Sequence, residues 1–185
     1  YDLLGLITGS EGLLGVITEV TVRILPLPED ICALLLGFPS ADAAGRCVAA
    51  IIGAGIIPAG MEMMDRPAIH ATEEFVHAGY PLDAEALLIV ELDGPAAEVD
   101  YLVARVQDLA KEAGADYTRI SQNDAERERF WAGRKNAFPA VGRISPDYYC
   151  MDGTIPRAKM PEVLVRISEM SAKYGLRVAN VFHAG

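Results

Sequence analysis

From Val16 to Ile24, apolar and polar residues alternate, most apolar positions are β-branched, and the run closes at Pro26 and Pro28. That pattern predicts a strand with one wet face. Ile31 to Phe38 is instead almost continuously apolar up to Pro39, which predicts a buried strand, and Ser40 then supplies an N-cap for a helix of small residues from Ala41 to about Ile52. Ile56 to Met64 reads as a strand, Arg66 to His77 as a helix with Pro67 in its first turn, and Ala86 to Leu92 as a second buried strand. Apolar residues at Val99, Leu102, Val103, Val106, Leu109 and Ala110 share one helical face, and Gly114 stands where a helix C-terminus wants a left-handed residue. A strand over Asp116 to Ser121, a charged helix opened by Asn123, a strand over Tyr148 to Ile155, a helix over Pro161 to Tyr174 and a strand over Leu176 to Phe182 complete the reading.

Strands that alternate with helices across short connections, in paired β-α-β halves, predict an α+β chain. The expected fold is a ferredoxin-like (split β-α-β) antiparallel sheet with helices on one face. Periodicity does not order strands, so a parallel doubly wound sheet is the alternative. The one break in composition, Leu25 to Asp30, divides the chain into residues 1–28 and 29–185. Because the pattern is already under way at Tyr1 and Gly185 directly follows a strand-like run, the chain is expected to be a piece of a longer protein.

Composition narrows the function classes. The 185 residues carry 16 Lys and Arg against 26 Asp and Glu, a net charge of −10, which repels polyanions and argues against a nucleic-acid or anionic-membrane binder. A hydrophobic fraction of 51% supplies a real core and argues against disorder. Three scattered cysteines are too few for a disulfide framework, so a reducing cytoplasm is expected. The longest uncharged stretch, Cys47 to Met61, is broken by glycines and Pro58 and is shorter than the roughly twenty residues a bilayer needs.

Three places could carry chemistry. Gly9, Gly12 and Gly15, with Ser10 between and Val16, Ile17 and Thr18 following, allow close approach of the backbone to another surface and suit an anion; a plain glycine turn before a strand is the alternative. Their spacing fits neither a dinucleotide fingerprint nor a P-loop. Arg134 falls four residues after Phe130 and three after Trp131 on one helical face, so its planar fork suits a carboxylate in a poorly hydrated site. Equally, it could stack on Trp131 and pair with Glu128 or Asp124, and Arg127 shares the face. His183 closes an apolar strand, where a histidine is either structural or a ligand. His70 and His77 share a helix with Glu73 and Glu74, most simply as a solvated face; Met61, Met63 and Met64 read as core filling.

The run Tyr1-Asp2-Leu3-Leu4-Gly5-Leu6-Ile7-Thr8-Gly9-Ser10-Glu11-Gly12-Leu13-Leu14-Gly15-Val16-Ile17-Thr18, continued by Val22-Arg23-Ile24-Leu25-Pro26-Leu27-Pro28, resembles the end of the FAD-binding domain in FAD-linked oxidases of the vanillyl-alcohol oxidase type. The resemblance continues through Phe130-Trp131-Ala132-Gly133-Arg134-Lys135, through Pro146-Asp147-Tyr148-Tyr149 with Asp152 and Pro156, and through Val181-Phe182-His183-Ala184-Gly185. Within the family it is most similar to the glycolate oxidase D subunits and the D-lactate and D-2-hydroxyglutarate dehydrogenases.

The resemblance implies that residues 1–28 end an FAD-binding domain and that 29–185 form the cap domain over the flavin. It implies FAD contacts at Gly9, Ser10, Gly12, Gly15, Val16, Ile17 and Thr18, with the larger phosphate-binding part upstream. It also implies a substrate carboxylate on Arg134 and a divalent metal, commonly zinc, on His183, completed by ligands after Gly185 and so not expected in this chain alone. Cys150 stands about where the 2-hydroxyglutarate relatives carry a substrate-contacting lysine, which favours a small monocarboxylate. The implied activity is oxidation of a D-2-hydroxy acid such as glycolate or D-lactate by hydride transfer to flavin. A cytoplasmic site, peripheral to the inner membrane, is expected, with partner subunits of a glycolate oxidase complex or a homodimer. The competing readings are a non-catalytic ligand-binding or assembly module and a flavin oxidase of another alcohol.

Overall fold

The computed structural model describes residues 1–156 and 159–184; Gly185, the last residue of the expected His183 motif, lies outside the described residues. A five-residue helix, α1 (Leu3–Ile7), capped by Asp2 onto the Gly5 N–H, opens the chain. Residues 8–29 then run without a strand and almost wholly exposed. The predicted strand from Val16 to Ile24 is therefore absent. An alternating pattern becomes a strand only when a neighbour takes its hydrogen bonds, and no described strand pairs with it.

The sheet begins with β1 (Asp30–Phe38), followed by α2 (Ala41–Gly53), β2 (Gly60–Asp65), α3 (Arg66–Val76), β3 (Ala86–Gly94), α4 (Ala96–Ala113), β4 (Tyr117–Ile120), α5 (Asp124–Lys135), α6 (Ala137–Ile144), α7 (Met160–Tyr174) and β5 (Val181–His183). Its order is β4-β1-β3-β2-β5 with every pairing antiparallel, and β1 runs against β3 from Asp30↔Gly94 to Phe38↔Ala86. The first four strands have the split β-α-β order, with β5 added beside β2. This excludes the doubly wound parallel alternative.

Helices cover both faces of the sheet, not one. On the first face Leu34, Leu36, Phe38, Leu88 and Val90 pack under α2 and α4, with Met160 of α7 joining Cys47, Ile51, Val106 and Ala110. On the second, Ala33, Leu35, Leu87, Ile89 and Met64 pack under Ala68 and Ile69 of α3 and Phe130 of α5. The reason is legible in β1 and β3, which are apolar at odd and even positions alike and so need cover on both sides.

Local chemistry sets the helix ends. Ser40 accepts from the Ala43 N–H at 3.1 Å, Asn123 from the Glu126 N–H at 3.0 Å, and α4 stops at Gly114 with φ 95°. The expected strand at 56–64 starts only at Gly60 and the last one only at Val181, while Tyr148 to Ile155 has no regular structure. Two helices, α1 and α6, have no counterpart in the periodicity reading.

Candidate functional site around Glu62

β2 reads Gly-Met-Glu-Met-Met-Asp, and all four residues from Met61 to Met64 are buried. Met61 and Met63 enter the first core and Met64 the second, as their core-filling role requires. Glu62 faces the second side, where only 8% of its side chain is exposed. A carboxylate so placed needs donors on both oxygens. It has them: Arg134 Nε of α5 donates to Oε2 at 2.8 Å, and His183 Nδ1 lies 2.5 Å from Oε1. The β2–β5 register sets Glu62 directly opposite His183.

Arg134 therefore pairs with neither Glu128 nor Asp124; Asp124 instead takes Arg127 Nη2 at 3.2 Å. The side chain of Arg134 is one-quarter exposed, and its Nη groups have no hydrogen-bond partner among the described residues. His183 is four-fifths exposed, with its ring turned to the rim of an open groove of about 750 Å³. The groove runs between the approach to β2, from Ile57 through Ala59 to Gly60, and Trp131 of α5, with Glu62 and Glu91 on its floor. Trp131 Nε1 donates to Glu91 Oε2 at 2.5 Å, and Arg127 Nη1 approaches the same oxygen at 3.4 Å. Gly60 lets Trp131 come close: a Cβ there would lie 3.0 Å from the indole ring.

The segment from Gly9 to Thr18 stands apart from this groove and lines no part of it. Gly9 and Gly12 adopt φ 78°, Ser10 closes a turn onto the Ile7 carbonyl, and no atom lies within 4 Å of where a Cβ on Gly9, Gly12 or Gly15 would project. Val16, Ile17 and their apolar neighbours are exposed. The backbone here is thus uncovered.

Among the described residues, no three His, Cys, Asp or Glu side chains converge as a metal site. His183 offers one nitrogen of the right chemistry, Nε2, and nothing described here completes a set around it. His70 is bound to the Leu82 carbonyl at 2.8 Å, and His77 is the left-handed cap of α3. Tyr148, Tyr149 and Cys150 are exposed, and Tyr148 meets Phe138 edge to face at 5.4 Å. Sequence reading passed over Glu62. Its signal was an acid inside a strand that is apolar on both faces, a place where a charge requires a partner from elsewhere in the fold.

The sheet order and the buried acid holding an arginine and a histidine at the sheet edge define an α+β domain of the split β-α-β class, with an open groove on one side. The chain belongs to the family of FAD linked oxidases, C-terminal domain, whose profile matches residues 27–185. It is 61% identical over all 185 residues to the glycolate oxidase subunit GlcD of Escherichia coli (strain K12), and 27% identical over 192 aligned positions to a D-lactate dehydrogenase of Anaerostipes hadrus. The chain spans 37% of the length of the first and 40% of the second. Among solved structures, an alkyldihydroxyacetonephosphate synthase superimposes with a TM-score of 0.66 at 19% identity, over 94% of this chain and 37% of that one, which shows a shared fold. No described helix is long and apolar enough to cross a membrane.

Proposed function

We propose that this chain is the C-terminal part of an FAD-dependent oxidoreductase that oxidises a small D-2-hydroxy acid of the glycolate or D-lactate type. Residues 1–28 would end its FAD-binding domain and 29–185 form its cap. The reading rests above all on Arg134, a partly exposed guanidinium held by Nε with its Nη fork free beside His183. The likeness of the whole of this chain to part of a glycolate oxidase subunit supports it.

In this reading the Nη fork of Arg134 receives the substrate carboxylate as a bidentate pair. His183 contributes Nε2 as one ligand of a divalent metal whose other ligands belong to further residues of the whole protein. Gly9, Ser10, Gly12, Gly15, Val16, Ile17 and Thr18 lie along the flavin, and bound FAD supplies the acceptor for the C2 hydride. Because Cys150 is exposed on irregular chain and no lysine stands there, a second carboxylate on the substrate has no fixed counter-charge at that point. We place the enzyme in the cytoplasm and in a complex with other subunits, as the word subunit in its relative's name suggests.

The test is a visible absorption spectrum of the full-length protein before and after D-lactate or glycolate is added under anaerobic conditions. Bands of oxidised flavin that bleach with either acid are expected. Their absence, or bleaching by neither acid, overturns the reading.

A further inference from the structure

Glu62 sits where a hydrophobic residue would pack as well as its neighbours Met61, Met63 and Met64 do, yet it carries a charge into the interior. Burying a carboxylate is costly unless strong donors reach it. Both of its oxygens are engaged, and the two donors come from different elements: Arg134 from α5 and His183 from β5. Neither contact belongs to a helix cap or to the backbone ladder of the sheet. Each engages one particular atom of its partner, and that choice determines which atoms of the partner are left unengaged.

We propose that Glu62 is the positioning residue of this site, orienting Arg134 and His183 together. The proposal rests on the functional reading above. Held at Nε, the guanidinium of Arg134 is fixed edge-on, so both Nη groups stay available in one plane for a carboxylate. His183 Nδ1–H donates to Oε1, which puts the lone pair of the neutral ring on Nε2, the nitrogen on the exposed side. One carboxylate thus sets the plane of an anion fork and the tautomer of a ligand histidine, and spaces the two through a rigid strand. The direct cross-strand register of Glu62 with His183 makes that spacing a property of the sheet rather than of a loop.

The experiment uses the full-length flavoprotein with R134A and E62Q variants, and oxalate as a non-oxidised probe titrated against the flavin spectrum. E62Q keeps the side-chain shape but exchanges one acceptor oxygen for a donor that clashes with His183 Nδ1–H. The expected result is a loss of oxalate affinity of about tenfold or more in E62Q, with KM for the acid rising more than kcat falls and flavin content unchanged. Retained oxalate affinity in R134A would overturn the functional reading itself. Weakened affinity in R134A with wild-type affinity in E62Q would overturn the role of Glu62 alone. Should E62Q fail to fold, the wild-type protein decides the matter: ¹⁵N shifts of its histidines, with His183 assigned through H183Q, are expected to show a protonated Nδ1. A protonated Nε2 with bare Nδ1 in neutral His183 would overturn the proposal.

Discussion

Asp65 and Asn180 are bound to each other at three points: the Asp65 N–H donates to the Asn180 carbonyl at 3.1 Å, and Asp65 Oδ2 accepts from the Asn180 N–H at 2.9 Å and from its Nδ2 at 2.7 Å. The other carboxylate oxygen of Asp65 caps α3 through the Ala68 N–H at 3.1 Å. One aspartate therefore closes β2, starts α3 and anchors the approach to β5, the strand that carries His183. Asp65→Ala is expected to cost about 2 kcal/mol. Asn180→Ala should cost less, and the double variant less than the sum. Urea titrations of the four proteins check this; strict additivity would show that the two residues act independently.

Burial raises the Asp65 carboxyl above its ordinary 3.8, outweighing the hydrogen bonds from Asn180 and Ala68 that lower it. The folded state then holds the proton more tightly than the unfolded chain. The stability gained from that proton is complete below the unfolded pKa and is lost as pH rises through the native one. Compared with Asp65→Asn, which does not titrate, the wild type should lose stability as the pH rises above the ordinary carboxylate value of 3.8. Denaturation midpoints across that rise measure it; a difference that grows in the opposite direction contradicts the assignment.

The Tyr80 phenol is buried and donates to the Phe130 carbonyl inside the second core. Gly133, one turn along α5, lies against that ring so closely that a Cβ would overlap it. Gly133→Ala, although favourable for an isolated helix, is expected to destabilise the chain by about 1–3 kcal/mol through overpacking. A thermal melt that is unchanged or raised would show that the Tyr80 ring moves aside freely.

Burial alone pushes the Cys47 thiol up to about 12. Near pH 8 its thiolate fraction is then about 10⁻⁴. Cys150 is exposed, and Cys32 is half-buried beside Ser121. Thiol labelling should proceed in the order Cys150, Cys32, Cys47, with the last reacting only as the protein unfolds. Peptide mapping of the label at short times is the check, and early modification of Cys47 would contradict its placement in the first core.

In the full-length enzyme, Arg134→Ala should raise KM for the hydroxy acid by about 10- to 100-fold, because the bidentate partner of the carboxylate is gone. Arg134→Lys should recover little of this, since lysine has neither the fork nor the Nε that reaches Glu62. Steady-state kinetics with glycolate and D-lactate provide the measurement. An unaltered kcat/KM in Arg134→Ala would eliminate the assigned role.

Much of the sheet could be read in advance because its signals are local. β1 and β3 are unbroken apolar runs, α2 and α5 carry their caps at Ser40 and Asn123, and α4 ends on Gly114. α6 stayed hidden because Pro139 and Gly142 interrupt a short stretch that periodicity scores poorly, though a proline in a first turn is harmless. The run from Val16 to Ile24 misled for the converse reason: its alternation is strand-like, but pairing is not a property of one segment. Arg134 and His183 could be singled out as candidates, yet what joins them could not. Glu62 and His183 are 121 positions apart, and only strand order brings them together.

That separation in the chain also imposes a timetable. A ribosome completes β2 and α5 before it reaches β5, so both Glu62 and Arg134 exist in the chain before the imidazole does. The short edge strand thus brings the last partner of Glu62, and its contact with Arg134 needs no residue beyond α5. A chain ending before residue 181 holds both partners of the Glu62–Arg134 pair and lacks only the histidine.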